Sequence, residues 1–319
     1  MTVLDLPSYS FYARQIVAKM LSADILARFP ECQSWLKKHA TDLHDWQIAL
    51  PLISCLAVGG SLEDGIQVAS AWYPMCLAAA ILDDVEDREF LPDDVIHSPE
   101  QAINLGTALI FLSLHHLSSI QSPGGAVRAE VVFSTEGFTA TSGQNQDLLA
   151  ATPLSAVGLP VNDVLEKYWQ TIILKSGSIF RMGIAGGAAA GTSDKTVIKG
   201  LGDYGTALGV MIQLLDDGKD IFKTSQDVIQ AWEVSLPLLL YLLATEKDKV
   251  VFPMIHTRAE WHTSLREARI IEIFSDILLQ WKARTLESIQ GLALLHREKK
   301  MLDEFPMLLS GLVTERRSE

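Results

Sequence analysis

Cysteine is scarce in this chain. Cys32, Cys55 and Cys76 are the only three in 319 residues, and they lie far apart. An odd number at such spacing excludes a disulfide framework and a thiolate zinc site, and it fits reduced thiols in a cytoplasmic protein. Cationic residues are also in deficit: 26 Lys and Arg face 39 Asp and Glu, a net charge of −13. That balance excludes nucleic acid and an anionic membrane surface as partners. It leaves room for a compact diphosphate, because a bound divalent cation inverts the local field. The N-terminus, MTVLDLPSYSFYARQ, lacks the basic-then-apolar order of a secretion signal. No transmembrane segment is expected, since the apolar stretch from Ile172 to Gly191 is interrupted by Lys175 and Arg181. Strand-like alternation is missing at any length. So are a G-x-S-x-G element and a cysteine–histidine pairing.

What the chain has in abundance is helical periodicity. Hydrophobic residues make up 48% of it, enough for a large core. The apolar spacing predicts helices over about 9–29, 45–58, 63–89, 99–120, 126–150, 160–190, 195–223, 227–245 and 257–297, with a shorter one near 300–313. Turn residues separate them, as at Gly59-Gly60-Ser61 and Leu91-Pro92-Asp93-Asp94. Ser98-Pro99 reads as a helix cap followed by proline in the first turn, and Pro237 begins or kinks a helix. No linker and no repeat of solenoid period divides the chain. The expectation is therefore all-α: one domain over 1–319, a helical bundle with a central cavity.

Two acidic clusters of one pattern stand out against this background. Asp83-Asp84-Val85-Glu86-Asp87 follows LAAAIL, and Asp216-Asp217-Gly218-Lys219-Asp220 follows GVMIQLL. Each reads D-D-x-x-D, so Asp83 and Asp87 share a helix face, as do Asp216 and Asp220. Carboxylates ending an apolar helix are costly to desolvate unless something positive is present. One such cluster is ordinarily a solvated helix end. Two with the same spacing point to Mg²⁺, a hard ion held by a few carboxylates together with phosphate oxygens of a substrate.

The neighbouring residues extend this reading. Trp72, Cys76, Ala79 and Ala80 precede Asp83 on its face, a narrow wall of small and aromatic side chains suited to a long apolar tail, or simply to close helix packing. Gly205, Gly209 and Gln213 precede Asp216, and interior glycines four apart imply close approach by a helix or a ligand. Lys175 interrupts the apolar helix TIILKSGSIF, where a lysine needs an anion or a route to solvent. Gly143, Gln144, Asp147 and Leu148 form a further polar patch. His115 and His116 are adjacent, about 100° apart on a helix, and do not share a metal. The run GIAGGAAAG lacks the strand–turn–helix setting of a nucleotide loop and reads as helix packing.

Taken together, these elements resemble the trans-prenyl diphosphate synthase superfamily, which also contains the class I terpene cyclases. DDVED at 83–87 is similar to its first aspartate-rich motif, GQNQDL at 143–148 to G-Q-x-x-D-L, and KSGSIF at 175–180 to K-T-G-x-L-F. YGTALGVMIQLLDDGKD at 204–220 is similar to Y-G-x-x-L-G-x-x-x-Q-x-x-D-D-x-x-D. The resemblance implies an all-α prenyl synthase fold, a homodimer, and three Mg²⁺ held by Asp83, Asp84, Asp87, Asp216, Asp217 and Asp220. It also implies that Lys175 contacts the diphosphate and that Gln213 lines the reaction cavity.

The departures are specific. Chain-elongating members bind isopentenyl diphosphate through basic residues, yet DWQIALP at 45–51 and LPDD at 91–94 carry no Lys or Arg where those are expected. A family histidine falls near Met75, and a family lysine near Glu233. An anionic co-substrate would meet acidic or apolar groups there. The intact half is the one that ionises an allylic diphosphate. The expected function is thus a Mg²⁺-dependent class I terpene synthase acting on an allylic prenyl diphosphate. The alternatives are a prenyltransferase and a non-catalytic regulatory subunit. Trp72, Tyr73, Phe111, Trp169 and Phe180 are candidates to face the carbocation. The small residues Ala78, Ala79 and Ala80 imply room for a chain of C20 or longer.

Overall fold

The computed structural model describes residues 6–40, 44–150, 156–218, 234–255 and 257–315. The chain is all-α: among the described residues there is no β-strand, only an isolated bridge between Pro160 and Lys249. The helices are α1 (Leu6–Leu21), α2 (Pro30–His39), α3 (Asp45–Ala57), α4 (Leu62–Glu86), α5 (Pro99–Leu117), α6 (Gly125–Ala150), α7 (Val161–Ile172), α8 (Ser178–Gly191), α9 (Lys195–Asp217), α10 (Leu236–Ala244), α11 (Arg258–Glu267), α12 (Ile270–Ser288) and α13 (His296–Glu315). A 3₁₀ turn (Asp24–Arg28) precedes α2, and a π-helical turn (Ile173–Gly177) joins α7 to α8. The residues group into two compact units interleaved along the chain. The first comprises Met1–Gly137, Ile179–Gly205 and Ile289–Glu304; the second comprises Phe138–Ser178, Thr206–Ser288 and Phe305–Glu319.

In the first unit α4 is central and packs against α1, α3 and α5. Ser61 caps it, its hydroxyl accepting the Asp64 backbone N–H at 3.0 Å. Its middle is buried all round, from Gly65 to Pro74, as expected of a core helix. It is also the one described helix long and apolar enough to cross a membrane, but 72% of its apolar window is buried in the protein, so packing accounts for its composition. Trp72 is fully buried; its indole N–H donates to the Ile179 carbonyl at 2.7 Å, and its ring meets Phe180 edge-on at 5.6 Å. The GIAGGAAAG run lies in α8, where Ala185, Ala188, Ala189 and Ala190 are buried.

In the second unit α7 packs against α10, and α12 receives α10 and α11. Pro237 sits in the first turn of α10, the use of proline that costs no helical hydrogen bond.

Several boundaries depart from the sequence expectation; the helix expected over 9–29 ends at Leu21, and a separate 3₁₀ turn covers Asp24–Arg28. Residues 30–39 form a helix that apolar periodicity passed over, although Pro30, Glu31 in the first turn and Lys37, Lys38 and His39 in the last are start and stop signals. The continuous helix expected over 257–297 is instead three, interrupted at Arg269 (φ 60°) and Gly291 (φ 80°). No glycine marks the first break, so the sequence hides it.

Candidate active site

The first acidic cluster closes α4. The Asp87 N–H bonds the Asp83 carbonyl at 2.8 Å, and the N–H groups of Glu89 and Phe90 both bond the Asp84 carbonyl, at 2.7 and 2.8 Å. Arg88 turns the chain away with φ 63°. Asp83, Asp84 and Asp87 therefore sit at a helix C-terminus, where the helix dipole disfavours anions. Burial, then the charges of Asp83 and Glu89, push the Asp84 pKa up. A cation relieves each of these costs.

One turn back along α4, Ala79 and Ala80 are exposed and Cys76 is partly exposed, next to the carboxylates on the same helix. Ala78 is buried. The wall does not extend deeper: Trp72 and Phe180 are core residues whose surfaces are spent on each other and on α8. Tyr73 is likewise buried, its hydroxyl donating to the His39 carbonyl at 2.9 Å. Phe111 points outward from α5, 61% exposed. Trp169 stacks on Trp281 at 6.0 Å, with the Arg284 guanidinium 4.7 Å over the Trp281 ring.

The second acidic cluster closes α9 in the second unit. Asp216 is exposed and Asp217 is partly buried. The Tyr168 hydroxyl donates to Asp217 Oδ2 at 2.6 Å, the Leu236 N–H to the same oxygen at 3.3 Å, and Gln213 Nε2 to Oδ1 at 3.0 Å. Gln213 Oε1 in turn accepts from the Ser176 hydroxyl at 2.9 Å. Burial raises the pKa of Asp217 against these donors, with Asp216 adding to the rise. Burial and Asp217 raise that of Tyr168, so the phenol remains the donor. Three protein donors thus hold Asp217. Asp220 lies outside the described residues.

Lys175 does have a protein anion. Its Nζ lies 3.0 Å from Asp147 Oδ2, with the two side chains 26% and 45% exposed. Two residues singled out separately in the sequence are partners. Gln144, one turn before Asp147, keeps both polar atoms of its amide buried without a hydrogen-bond partner among the described residues.

The π turn sets this arrangement. It inserts an extra residue into the helical register and carries Lys175 toward α6 and Ser176 toward α9. Two glycines hold it. A Cβ on Gly143 of α6 would lie 2.5 Å from the Lys175 backbone nitrogen, and one on Gly209 of α9 would lie 2.5 Å from the Ser176 carbonyl oxygen. The close approach inferred from the α9 glycines is therefore by the helix, not by a ligand.

Charge elsewhere in the first unit is also paired. Lys38 donates to Asp93 at 3.2 Å and to Asp94, His39 Nε2 lies 3.4 Å from Asp93, and the backbone N–H groups of Val95 and Ile96 donate to Asp93 at 2.7 and 2.6 Å. Ser10 donates to Asp45 at 2.5 Å. His116 is buried with Nδ1 3.2 Å from Gln67 Oε1, while His115 faces Asp24 at 3.6 Å, so the adjacent histidines share no site.

Each acidic cluster fits Mg²⁺ in kind: oxygen ligands only, at a helix end that disfavours anions. Among the described residues, however, no three acidic, histidine or cysteine side chains converge on one point. Sequence reasoning missed Tyr168 and Ser176. The available signal was a tyrosine on a buried face, whose hydroxyl needs a partner.

Comparison with known proteins places this arrangement. The model of the polyprenyl synthetase family matches residues 49–269, which spans both acidic clusters, Lys175 and Gln213. The chain belongs to the polyprenyl synthetase family. It is 25% identical over 248 residues to the heterodimeric geranylgeranyl pyrophosphate synthase large subunit 1 of Arabidopsis thaliana, covering 70% of this chain and 63% of that protein. It is 30% identical over 194 residues to geranylgeranyl pyrophosphate synthase 4 of the same plant, covering 56% of this chain and 50% of that protein. The chain thus spans between half and two thirds of these relatives. The fold is shared with a polyprenyl synthetase from Streptomyces coelicolor A3(2), at a TM-score of 0.75 and 20% identity over 95% of this chain and 99% of that one. It is also shared with a geranylgeranyl pyrophosphate synthase from Corynebacterium glutamicum complexed with isoprenyl diphosphate and magnesium, at a TM-score of 0.72 and 16% identity over 96% and 99%.

Proposed function

We propose that this protein is a Mg²⁺-dependent prenyltransferase that ionises an allylic prenyl diphosphate and passes the prenyl chain to an acceptor. The observation that carries the reading is the cluster on the π turn, where Lys175 with Asp147, and Ser176 with Gln213 and Asp217, form one connected set. Family membership supports it, as does the solved relative that holds isoprenyl diphosphate and magnesium. In this reading Asp83, Asp84 and Asp87 are metal ligands at the end of α4, Asp216 and Asp220 are metal ligands of the second cluster, and Asp217 steadies the end of α9. When bound, Mg²⁺ supplies neutralisation of the charge that develops on the departing diphosphate.

The chain's own residues do the remainder. Lys175 binds a diphosphate oxygen and exchanges part of its pairing with Asp147 for it. The Gln144 amide, costly to leave unpaired at roughly 1–3 kcal/mol, is completed by substrate or by water. Ala79, Ala80 and Cys76 offer the apolar strip beside the acidic cluster that a prenyl tail requires. Their small size supports a chain of C20 or longer, and Ala79→Phe is expected to shift preference to a shorter one.

One observation favours a second reading, a terpene synthase that quenches or cyclises the cation with no second diphosphate. Where an isopentenyl diphosphate would need cations, Asp45 holds Ser10, and Asp93 and Asp94 engage Lys38. The deciding experiment incubates the purified protein with Mg²⁺ and geranylgeranyl diphosphate, with and without isopentenyl diphosphate, and identifies products by mass. A longer diphosphate formed only with isopentenyl diphosphate establishes elongation. A hydrocarbon or alcohol formed without it establishes the second reading. Release of neither product nor diphosphate removes both.

We also propose a homodimer. Ile103, Phe111 and Leu114 on α5, and Val127 and Val131 on α6, are large apolar residues between 44% and 63% exposed. Such a face is expected to be covered by a second copy. Light scattering at twice the monomer mass, reverting to one in Val131→Glu, is the expected result; a wild-type monomer would remove the proposal.

A further inference from the structure

We propose that Tyr168 is a positioning residue for the second acidic cluster: with Gln213 it clamps the Asp217 carboxylate and so fixes the end of α9 from which Asp216 projects. The inference rests on the reading that these clusters hold the cation of a bound diphosphate. Its geometry is independent of that reading. Tyr168 lies on α7, 49 residues from Asp217, and its hydroxyl makes the shortest of the three bonds to that carboxylate, at 2.6 Å. Leu236 N–H, at the start of α10, shares the same oxygen at 3.3 Å. Gln213 takes the other at 3.0 Å and passes the connection to Ser176 on the π turn at 2.9 Å. The Tyr168 ring is held in turn, edge-on against Trp169 at 5.4 Å. One carboxylate therefore joins α7, α9, α10 and the turn that bears Lys175.

A carboxylate held by three donors from three elements is poorly available as a direct ligand, but it is well suited to orienting its neighbour. Asp216, adjacent on the same helix end, is exposed. Partners of this outer kind govern metal affinity, and removing one typically costs 10–100-fold. The phenol contributes one donated proton bond and no charge change, so its role is separable from electrostatics by a single-atom substitution.

The test is Tyr168→Phe, which keeps the ring and deletes the hydroxyl. Binding of Mn²⁺ in the presence of inorganic pyrophosphate is read by electron paramagnetic resonance, alongside the Mg²⁺ dependence of turnover and a thermal melt. The expected result is about tenfold weaker Mn²⁺ binding and a matching rise in the Mg²⁺ concentration for half-maximal turnover. KM for the prenyl diphosphate at saturating Mg²⁺ should stay within about twofold, and the melt should remain cooperative. Unchanged Mn²⁺ affinity, or a fall in kcat with no shift in Mg²⁺ dependence, overturns the proposal and leaves the functional reading standing. Wild-type protein that binds no Mn²⁺ with pyrophosphate overturns both. If Y168F loses its cooperative melt, Ser176→Ala probes the same chain from its far end. A weakening of Mn²⁺ binding by at least about threefold then supports the clamp, and no change overturns it.

Discussion

Lys175 and Asp147, 28 residues apart, meet at 3.0 Å because a π turn rotates the lysine out of the helical register and onto the end of α6. Both side chains keep contact with solvent, so the pair contributes little to stability, on the order of 0–1 kcal/mol. Its value is placement of a cation. Lys175→Met is expected to lower kcat/KM by about 10–100-fold through loss of a charge-assisted bond to the substrate. Asp147→Asn should have a smaller effect in the same direction. Steady-state kinetics with parallel thermal melts separates the two, and a large loss of stability in either variant would contradict the assignment.

The turn depends on the glycines that flank it. Gly143→Ala and Gly209→Ala each place a methyl group 2.5 Å from backbone atoms of the turn, and backbone cannot step aside as a flexible side chain can. Each substitution is expected to cost about 1–3 kcal/mol by overpacking, measured by urea unfolding. Each should also reduce turnover more than Lys175→Met alone, because both arms of the cluster move.

Trp72 tests the boundary between core and site. It is wholly buried with its N–H satisfied, so Trp72→Ala is expected to cost about 3–5 kcal/mol. Trp72→Phe should fold, lose about 1 kcal/mol for the missing hydrogen bond, and leave the distribution of product lengths unchanged. A changed distribution would return Trp72 to the substrate wall.

His116 gives the protein a specific response to acid. Burial, reinforced by His115 and Lys19, lowers its pKa from 6.5 to about 4. In the unfolded chain it protonates near 6.5, so between that value and about 4 the unfolded state binds the additional proton. Stability therefore falls as pH drops through this window, by up to roughly 3 kcal/mol, and stays level above it. The pKa of Asp93 is lowered chiefly by backbone N–H groups and Lys38, against its own desolvation. It acts below its ordinary value of 3.8, outside the His116 window. Urea midpoints measured from pH 7 to 4 should show a slope that is reduced in His116→Phe.

How much of this was legible beforehand differs from residue to residue. The all-α class and the Ser98 cap were read from periodicity and capping chemistry, which act over a few residues. The likeness to the prenyl synthases followed from four motifs in order, and the family match bears it out. Helix α2 was missed because its apolar residues are few, although proline and charge marked both ends. The break at Arg269 was hidden because a left-handed arginine has no sequence signature. The burial of Trp72 was not legible for a related reason: helical spacing gives the face a side chain shares, but not whether a neighbouring helix covers that face.

The sequence by itself determined which residues carry charge, where helices end, and that carboxylates gather at two of those ends; these are properties of short segments. Tertiary structure alone decided how the polar groups are shared. It spends Asp217 on Tyr168, Leu236 and Gln213, gives Lys175 to Asp147, and sets Lys38 against Asp93 and Asp94. Hydrogen bonds and ion pairs require approach within about 3–4 Å. Across tens of residues of chain, that distance is set by helix packing and by one π turn, neither of which is written in the local order of residues.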